Sequence, residues 1–304
     1  MGLDLYFKRD DLLGRWLGGN KLRKLQYIVA DAEAAGADTL LTTGSFQSNH
    51  AALTAAVASA MGMRAALVLM GPPSRPAPTL NERIARRFGA AVREVTFDDE
   101  ASRKTLSSRV DEAAAQLRGE LEAQGARIFT VPGGGCCPAG SFAFVQAFGE
   151  LHEQMRGRGI DRYRIVLAVG TGSTYAGLLC GARQAGANVK VLGISIARRN
   201  PRCAAETLKA ANALCAELNA PPPGLDDLDI RDDFVGEGYA IPTAGSARGV
   251  EAALKLEAVP MCHTYAGKAL GALMELPRSE FGHDPVVFWH TGGVAGAVDD
   301  LLEK

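Results

Sequence analysis

The chain has 304 residues, 47% of them hydrophobic, and its 33 basic and 34 acidic side chains leave a net charge of -1. A near-neutral chain with 6% aromatic residues and no Lys/Arg-rich run excludes nucleic-acid binding through a basic patch or stacking platform, and no apolar run reaches the roughly 18 residues of a membrane span. The charged first ten positions are unlike a secretory signal, so a cytoplasmic protein is expected, its core divided between two domains.

Short apolar runs alternate with amphipathic ones along the chain. Strands are predicted at Leu3–Lys8, Thr39–Thr43, Arg64–Met70, Ala91–Phe97, Arg127–Val131, Arg164–Val169, Val189–Ile196 and Val286–His290. Between them, amphipathic segments such as Lys21–Ala35, Ser48–Met61, Ala101–Gln124, Ser141–Met155 and Tyr175–Gln184 predict helices. The alternation implies an α/β protein of mainly parallel, twisted sheets covered by helices on both faces, with two sheets expected from the length. The proline-rich segments 71–78 and 221–224 read as surface loops.

In open α/β sheets, ligands sit beyond the carboxyl ends of strands, which makes the strand-to-helix turns the place to seek chemistry. The run Gly18-Gly19-Asn20-Lys21-Leu22-Arg23-Lys24 puts a lysine at a glycine turn into a helix. Partial desolvation and the positive end of a helix dipole both disfavour its ammonium form, leaving an amine suited to Schiff-base chemistry. Read alone, Lys21, Arg23 and Lys24 equally fit a solvated basic face. Further turns rich in Gly, Ser and Thr lie at 43–49, 133–140, Gly170-Thr171-Gly172-Ser173-Thr174 and Thr291-Gly292-Gly293.

Residues 170–174 lead from an apolar strand into a helix and offer amides, hydroxyls and a favourable dipole to an anion such as phosphate, though they also fit a plain turn. Gly172-Ser173-Thr174 lacks the lysine of a Walker loop. Ser195-Ile196-Ala197 lacks the acid of a dinucleotide fold, and no Gly-x-Ser-x-Gly elbow is present. A phosphate cup without a nucleotide signature, together with a Schiff-base lysine, points to pyridoxal 5'-phosphate. Of six cysteines, Cys180, Cys203, Cys215 and Cys262 read as small core residues and Cys136-Cys137 as loop; their spacing suggests neither a disulfide framework nor a metal site.

In the stretches Phe7-Lys8-Arg9-Asp10-Asp11-Leu12, Gly18 to Leu25, Gln47-Ser48-Asn49-His50, Thr171 to Thr174, Gly238-Tyr239, Tyr265-Ala266-Gly267-Lys268 and His290-Thr291-Gly292-Gly293, the chain resembles the D-cysteine desulfhydrase and 1-aminocyclopropane-1-carboxylate deaminase family. That resemblance, from Tyr6 to the C-terminus, implies the tryptophan-synthase-β-like fold, also called PLP fold type II. It implies a large cofactor-binding domain of residues 1–22 and 133–304, a small domain of 23–132, the cofactor between them, and a homodimer acting on a small amino acid. Relatives carry a further segment before the Tyr6 strand, so either a shortened chain or another covering surface is expected here.

By the same resemblance Lys21 is the Schiff-base lysine and the base at Cα, Asn49 bonds the phenolic oxygen of the cofactor, and Thr171, Gly172, Ser173 and Thr174 hold its phosphate. Ser48, with Asn49 and His50, receives the substrate carboxylate, and in the deaminases the matching serine has a more chemical part. Tyr239 and Tyr265 move protons near the leaving group or amine, although without the resemblance both read as ordinary core or loop aromatics. Deaminases carry glutamate where this chain has Ala266, which leaves the hydroxyl of Thr291 as partner of the ring nitrogen and a weaker electron sink. That, with His50, favours β-elimination of a good leaving group, from D-cysteine, 3-chloroalanine or cysteate, over cyclopropane ring opening. Cys136-Cys137, Ala52 and Ala266 depart from the desulfhydrase pattern and leave room for a specialised enzyme on an unusual amino acid. A non-catalytic binder of the cofactor or of phosphate is the rival from another class.

Overall fold

The computed structural model describes residues 2–14, 18–73 and 77–302. Its strands, in chain order, are β1 (Leu5–Arg9), β2 (Thr39–Ser45), β3 (Arg64–Gly71), β4 (Ala91–Thr96), β5 (Ile128–Val131), β6 (Arg162–Val169), β7 (Asn188–Ser195), β8 (Asp229–Arg231) and β9 (Val286–His290). The helices are α1 (Asn20–Ala34), α2 (Asn49–Ala60), α3 (Leu80–Arg87), α4 (Glu100–Lys104), α5 (Leu106–Ala123), α6 (Pro138–Arg156), α7 (Ser173–Gln184), α8 (Arg202–Glu217), α9 (Ala244–Glu257), α10 (Lys268–Glu275) and α11 (Val294–Leu302). The chain forms two compact units, Met1–Lys24 with Cys136–Lys304, and Leu25–Gly135.

The larger unit holds a five-stranded sheet in the order β1-β9-β6-β7-β8, and every pairing in it is parallel. A parallel strand covered on both faces needs a continuous apolar run instead of an alternating one. Val286-Val287-Phe288-Trp289-His290 of β9 is such a run, each residue buried, and Ile165-Val166-Leu167 of β6 is another. One face packs on Ala253 of α9 and Ala269, Leu270 and Leu273 of α10. Away from that cluster, α6, α7 and α8 pack together through Val145, Ala176, Cys180, Ala211, Leu214 and Cys215. At about 25 cal/mol per Å², a buried side chain such as Phe288 or Leu270 contributes about 2–3 kcal/mol.

The smaller unit holds a four-stranded parallel sheet, β4-β3-β2-β5, with Leu41, Ala66, Val68 and Val95 packed on Val110, Ala113 and Leu117 of α5. The predicted helix over 101–124 is two helices, because Thr105 leaves the α region and its hydroxyl bonds back to Ala101 O and Ser102 O. Gly71 ends β3 and is buried, so the loop expected at 71–78 begins one residue later; residues 74–76 of it lie outside the described residues. In the other proline-rich loop Pro221 and Pro222 are exposed but Pro223 is buried. Cys180, Cys203, Cys215 and Cys262 are core residues, each at most 4% exposed, and Cys136 and Cys137 are half-buried.

Candidate active site

In the larger unit the site grows from two glycine turns packed backbone to backbone. Gly19 has φ 111° and Gly292 φ 99°, and a Cβ built on Gly292 would lie 2.5 Å from Gly19 Cα, so both positions demand glycine. The amide of Asn20 donates to Thr291 O at 2.9 Å, which fastens the start of α1 to the end of β9. The Asp10 carbonyl accepts from Gly19 N, and its buried carboxylate receives Trp289 Nε1 at 2.8 Å and Arg23 Nε at 3.0 Å. Burial raises the Asp10 pKa, and Arg23 offsets part of that. His290 accepts the Gly292 amide on Nδ1, which leaves Nε2 to donate to Pro260 O; burial lowers its pKa and keeps it neutral.

Lys21 is half-buried, and burial lowers its pKa to about 8, with a smaller opposing effect from the charge of Cys136. Its Nζ donates to Asn20 Oδ1 at 3.2 Å, and Asn20 Nδ2 donates in turn to Thr174 Oγ1 at 3.1 Å. The Schiff-base candidate is thus linked through one amide to the proposed phosphate cup. The predicted helix at Tyr175 begins earlier, so Ser173 and Thr174 occupy the first turn of α7, where backbone amides lack intrahelical acceptors. Gly172 caps that helix with φ 91°, and a Cβ there would come within 2.7 Å of Thr207 Oγ1 and 2.8 Å of its Cα. Thr171 presents its carbonyl to Cys136 Sγ at 3.3 Å.

Lys24 belongs to the site too. The alternative reading as a solvated basic face does not hold here: Arg23 is bound by Asp10 and Glu150, while Lys24 is 1% exposed and its Nζ donates to Ser173 Oγ at 2.6 Å. Burial, then the charge of Lys21, hold its pKa well below the usual lysine value. An ammonium buried at a helix N-terminus amid hydroxyls suits an anion, and the spacing of three from Lys21, which puts both on one helix face, was the signal available for it. A glycine where no Cβ fits, two first-turn hydroxyls, a buried lysine and a second lysine with a depressed pKa together match the phosphate and aldehyde of pyridoxal 5'-phosphate.

The hydroxyls of Tyr239 and Tyr265 are in hydrogen-bond contact, with ring centroids 6.0 Å apart and edge to face. Tyr265 lies in a π-helical turn, His263–Gly267, that runs directly into α10; such turns recur at functional sites. Burial, together with Tyr239, raises its pKa well above 10. Ala266 next to it is fully buried in the apolar cluster on the sheet.

In the smaller unit the predicted group at the end of β2 is also assembled. Ser48 is the N-cap of α2 and accepts the Ala51 amide at 3.1 Å, while Gly44 leaves room for it: a Cβ there would lie 2.6 Å from Ser48 Oγ. Asn49 Oδ1 accepts from Asn81 Nδ2 at 2.9 Å, and the same amide reaches Gln47 O. His50 is buried with Nε2 2.9 Å from Thr42 Oγ1, so its imidazole points into the base of α2 and the sheet. Asn81, which orients Asn49, carries no signal in the sequence.

Parallel sheets with a lysine turn and a Gly/Ser/Thr-rich turn at their strand ends fit a fold type II pyridoxal-phosphate enzyme. The chain belongs to the pyridoxal-phosphate dependent enzyme family, whose model matches residues 1–292, and the expected family, fold class and cofactor are all borne out. It is 31% identical over 300 residues to the D-cysteine desulfhydrase of Salmonella paratyphi A, covering 96% of this chain and 87% of that one. The D-cysteine desulfhydrase of Salmonella newport is 31% identical over 301 residues, covering 96% and 88%. A solved structure described as an ACC deaminase homologue superposes with a TM-score of 0.86 at 29% identity, covering 99% of this chain and 89% of that one. O-ureido-L-serine synthase shares the fold at a TM-score of 0.64 and 18% identity, over 97% of this chain and 85% of its own.

Proposed function

We propose that the chain is a lyase that eliminates a group from Cβ of a small β-substituted amino acid, D-cysteine or a close analogue, releasing pyruvate, ammonia and the leaving group. The observation that carries this reading is the amine of Lys21, its pKa lowered to about 8 and joined through Asn20 to Thr174 of the cup. Bound pyridoxal 5'-phosphate supplies an aldehyde for amines and a conjugated ring that takes up the electron pair released at Cα. Lys24 and residues Thr171, Gly172, Ser173 and Thr174 would hold its phosphate, with Asn49 and Thr291 on the ring.

Lys21, largely relieved of its charge above pH 8, is the group to take the proton from Cα. Ser48 and the first amides of α2 offer a helix N-terminus to the substrate carboxylate, with Asn49 and His50 following in that turn. Tyr265, its pKa raised by burial and by Tyr239, stays a phenol at neutral pH; the raised pKa makes it a weak acid by itself, and it is its hydroxyl contact with Tyr239 that places the pair to hydrogen-bond and protonate a departing sulfur. Ala266 brings no acid to its place, which favours a leaving group that departs readily. The family likeness supports a cytoplasmic homodimer, and among the described residues no helix is long and apolar enough to cross a membrane.

The test is a screen of the pyridoxal-phosphate-loaded protein with D- and L-cysteine, 3-chloroalanine, cysteate and 1-aminocyclopropane-1-carboxylate, reading keto acid and ammonia. Pyruvate from a β-substituted substrate is expected. Keto acid from the cyclopropane alone, or from none of them, overturns the assignment.

A further inference from the structure

Lys268 is a buried lysine that the elimination chemistry leaves unused. It is 1% exposed at the start of α10, directly after the π-turn that carries Tyr265. Its Nζ donates to three main-chain carbonyls: Gly238 O at 2.7 Å, Val235 O at 2.8 Å and Ile196 O at 3.4 Å. Two of these belong to the segment that delivers Tyr239, and the third follows the end of β7. A buried ammonium held by carbonyl dipoles costs stability relative to an apolar side chain of the same shape, and burial lowers its pKa accordingly. The same side chain joins the two segments whose tyrosines meet: the π-turn that runs into α10 carries Tyr265, three residues before Lys268, and Gly238 immediately precedes Tyr239.

We infer that Lys268 is a positioning residue, whose grip on the 235–238 carbonyls holds the Tyr239 hydroxyl against that of Tyr265. The inference rests on the proposed proton-donating part of the tyrosine pair. The loop leading to Tyr239 contains Gly236 and Gly238 and has no helix or strand of its own from residue 232 to 243, so its backbone needs an external anchor. Three carbonyls converging on one ammonium supply it. A displacement of about 1 Å at a proton donor is enough to cost about 100-fold in turnover.

The experiment compares K268M, which keeps the length of the side chain and removes its donors, with Y239F and the double variant, all loaded with pyridoxal 5'-phosphate. Expected is a kcat lower by about 10- to 100-fold in K268M, with the cofactor absorbance band retained and the double variant no worse than Y239F alone. A second readout needs no turnover: in alkaline ultraviolet titration the tyrosine step that burial and the Tyr239 contact hold above pH 10 should move to lower pH in K268M than in wild type, because the contact is loosened while the burial remains. Multiplicative losses in the double variant, or an unchanged tyrosine titration, overturn the inference. If wild type turns over none of the substrates, the titration still decides Lys268 while the elimination reading fails by itself. Should K268M not fold, K268R, which retains the cation but moves its donors, is read in the same way: unaltered kcat and titration count against the positioning role, and a shift in both supports it.

Discussion

Lys24→Met isolates the least expected part of the site. The side chains are nearly equal in volume, so the substitution removes an ammonium 2.6 Å from Ser173 Oγ and leaves the packing beneath Phe144 largely unchanged. With the cofactor phosphate in the cup, the lost partner of a buried charge is worth about 2–4 kcal/mol, or about 30- to 1,000-fold in Kd. Without cofactor the sign reverses, because an ammonium whose pKa is held down by burial is being replaced by an apolar group. Cofactor-free K24M should therefore melt at a higher temperature than cofactor-free wild type, while its stabilisation by pyridoxal 5'-phosphate shrinks. Affinity for pyridoxal, which has no phosphate, should change little. Titrating both compounds by absorbance, with melting curves for each state, gives four comparisons. Wild-type discrimination between phosphorylated and unphosphorylated cofactor in K24M would refute the assignment of Lys24 to the phosphate.

The amine of Lys21 should acylate in the cofactor-free protein with a midpoint near pH 8, because burial lowers its pKa from 10.5 to about 8. About one molecule in ten then carries a free amine at pH 7, against about one in three thousand for an ordinary lysine. The unfolded chain binds the extra proton between those two values, so Lys21 costs stability below about pH 8 and that cost fades as pH climbs towards 10.5; a labelling midpoint above 10 would contradict this. Asn81→Ala removes the donor to Asn49 Oδ1 and Gln47 O, and should lower stability by about 1–2 kcal/mol in denaturant titration while weakening cofactor or substrate binding. An N81A enzyme with wild-type affinities would mean that Asn49 needs no orienting partner.

Whether a residue's part could be read in advance depended on the distance over which its environment is set. The strands β6 and β9 were legible because burial on both faces of a parallel strand writes itself into consecutive apolar residues. The turn at Gly172, Ser173 and Thr174 was legible for a similar reason, since a tight strand-to-helix turn with a left-handed glycine cap and first-turn hydroxyls writes its residue types within a few positions. Lys24 was not. A lysine beside an arginine at a helix start looks solvated, and what buries it is a hydroxyl 149 residues along the chain. Lys268 and Asn81 are hidden in the same way: the carbonyls around Lys268 lie 30 to 72 residues before it, and Asn81 serves a loop 32 residues upstream. These buried polar side chains act through hydrogen bonds to distant backbone or to another side chain, and such bonds impose no period on the sequence around them. The tyrosines fall between the two cases. Their family motif marks them, but only the wider π-turn and the carbonyl-gripping lysine that follows it account physically for two hydroxyls meeting across 26 residues of chain.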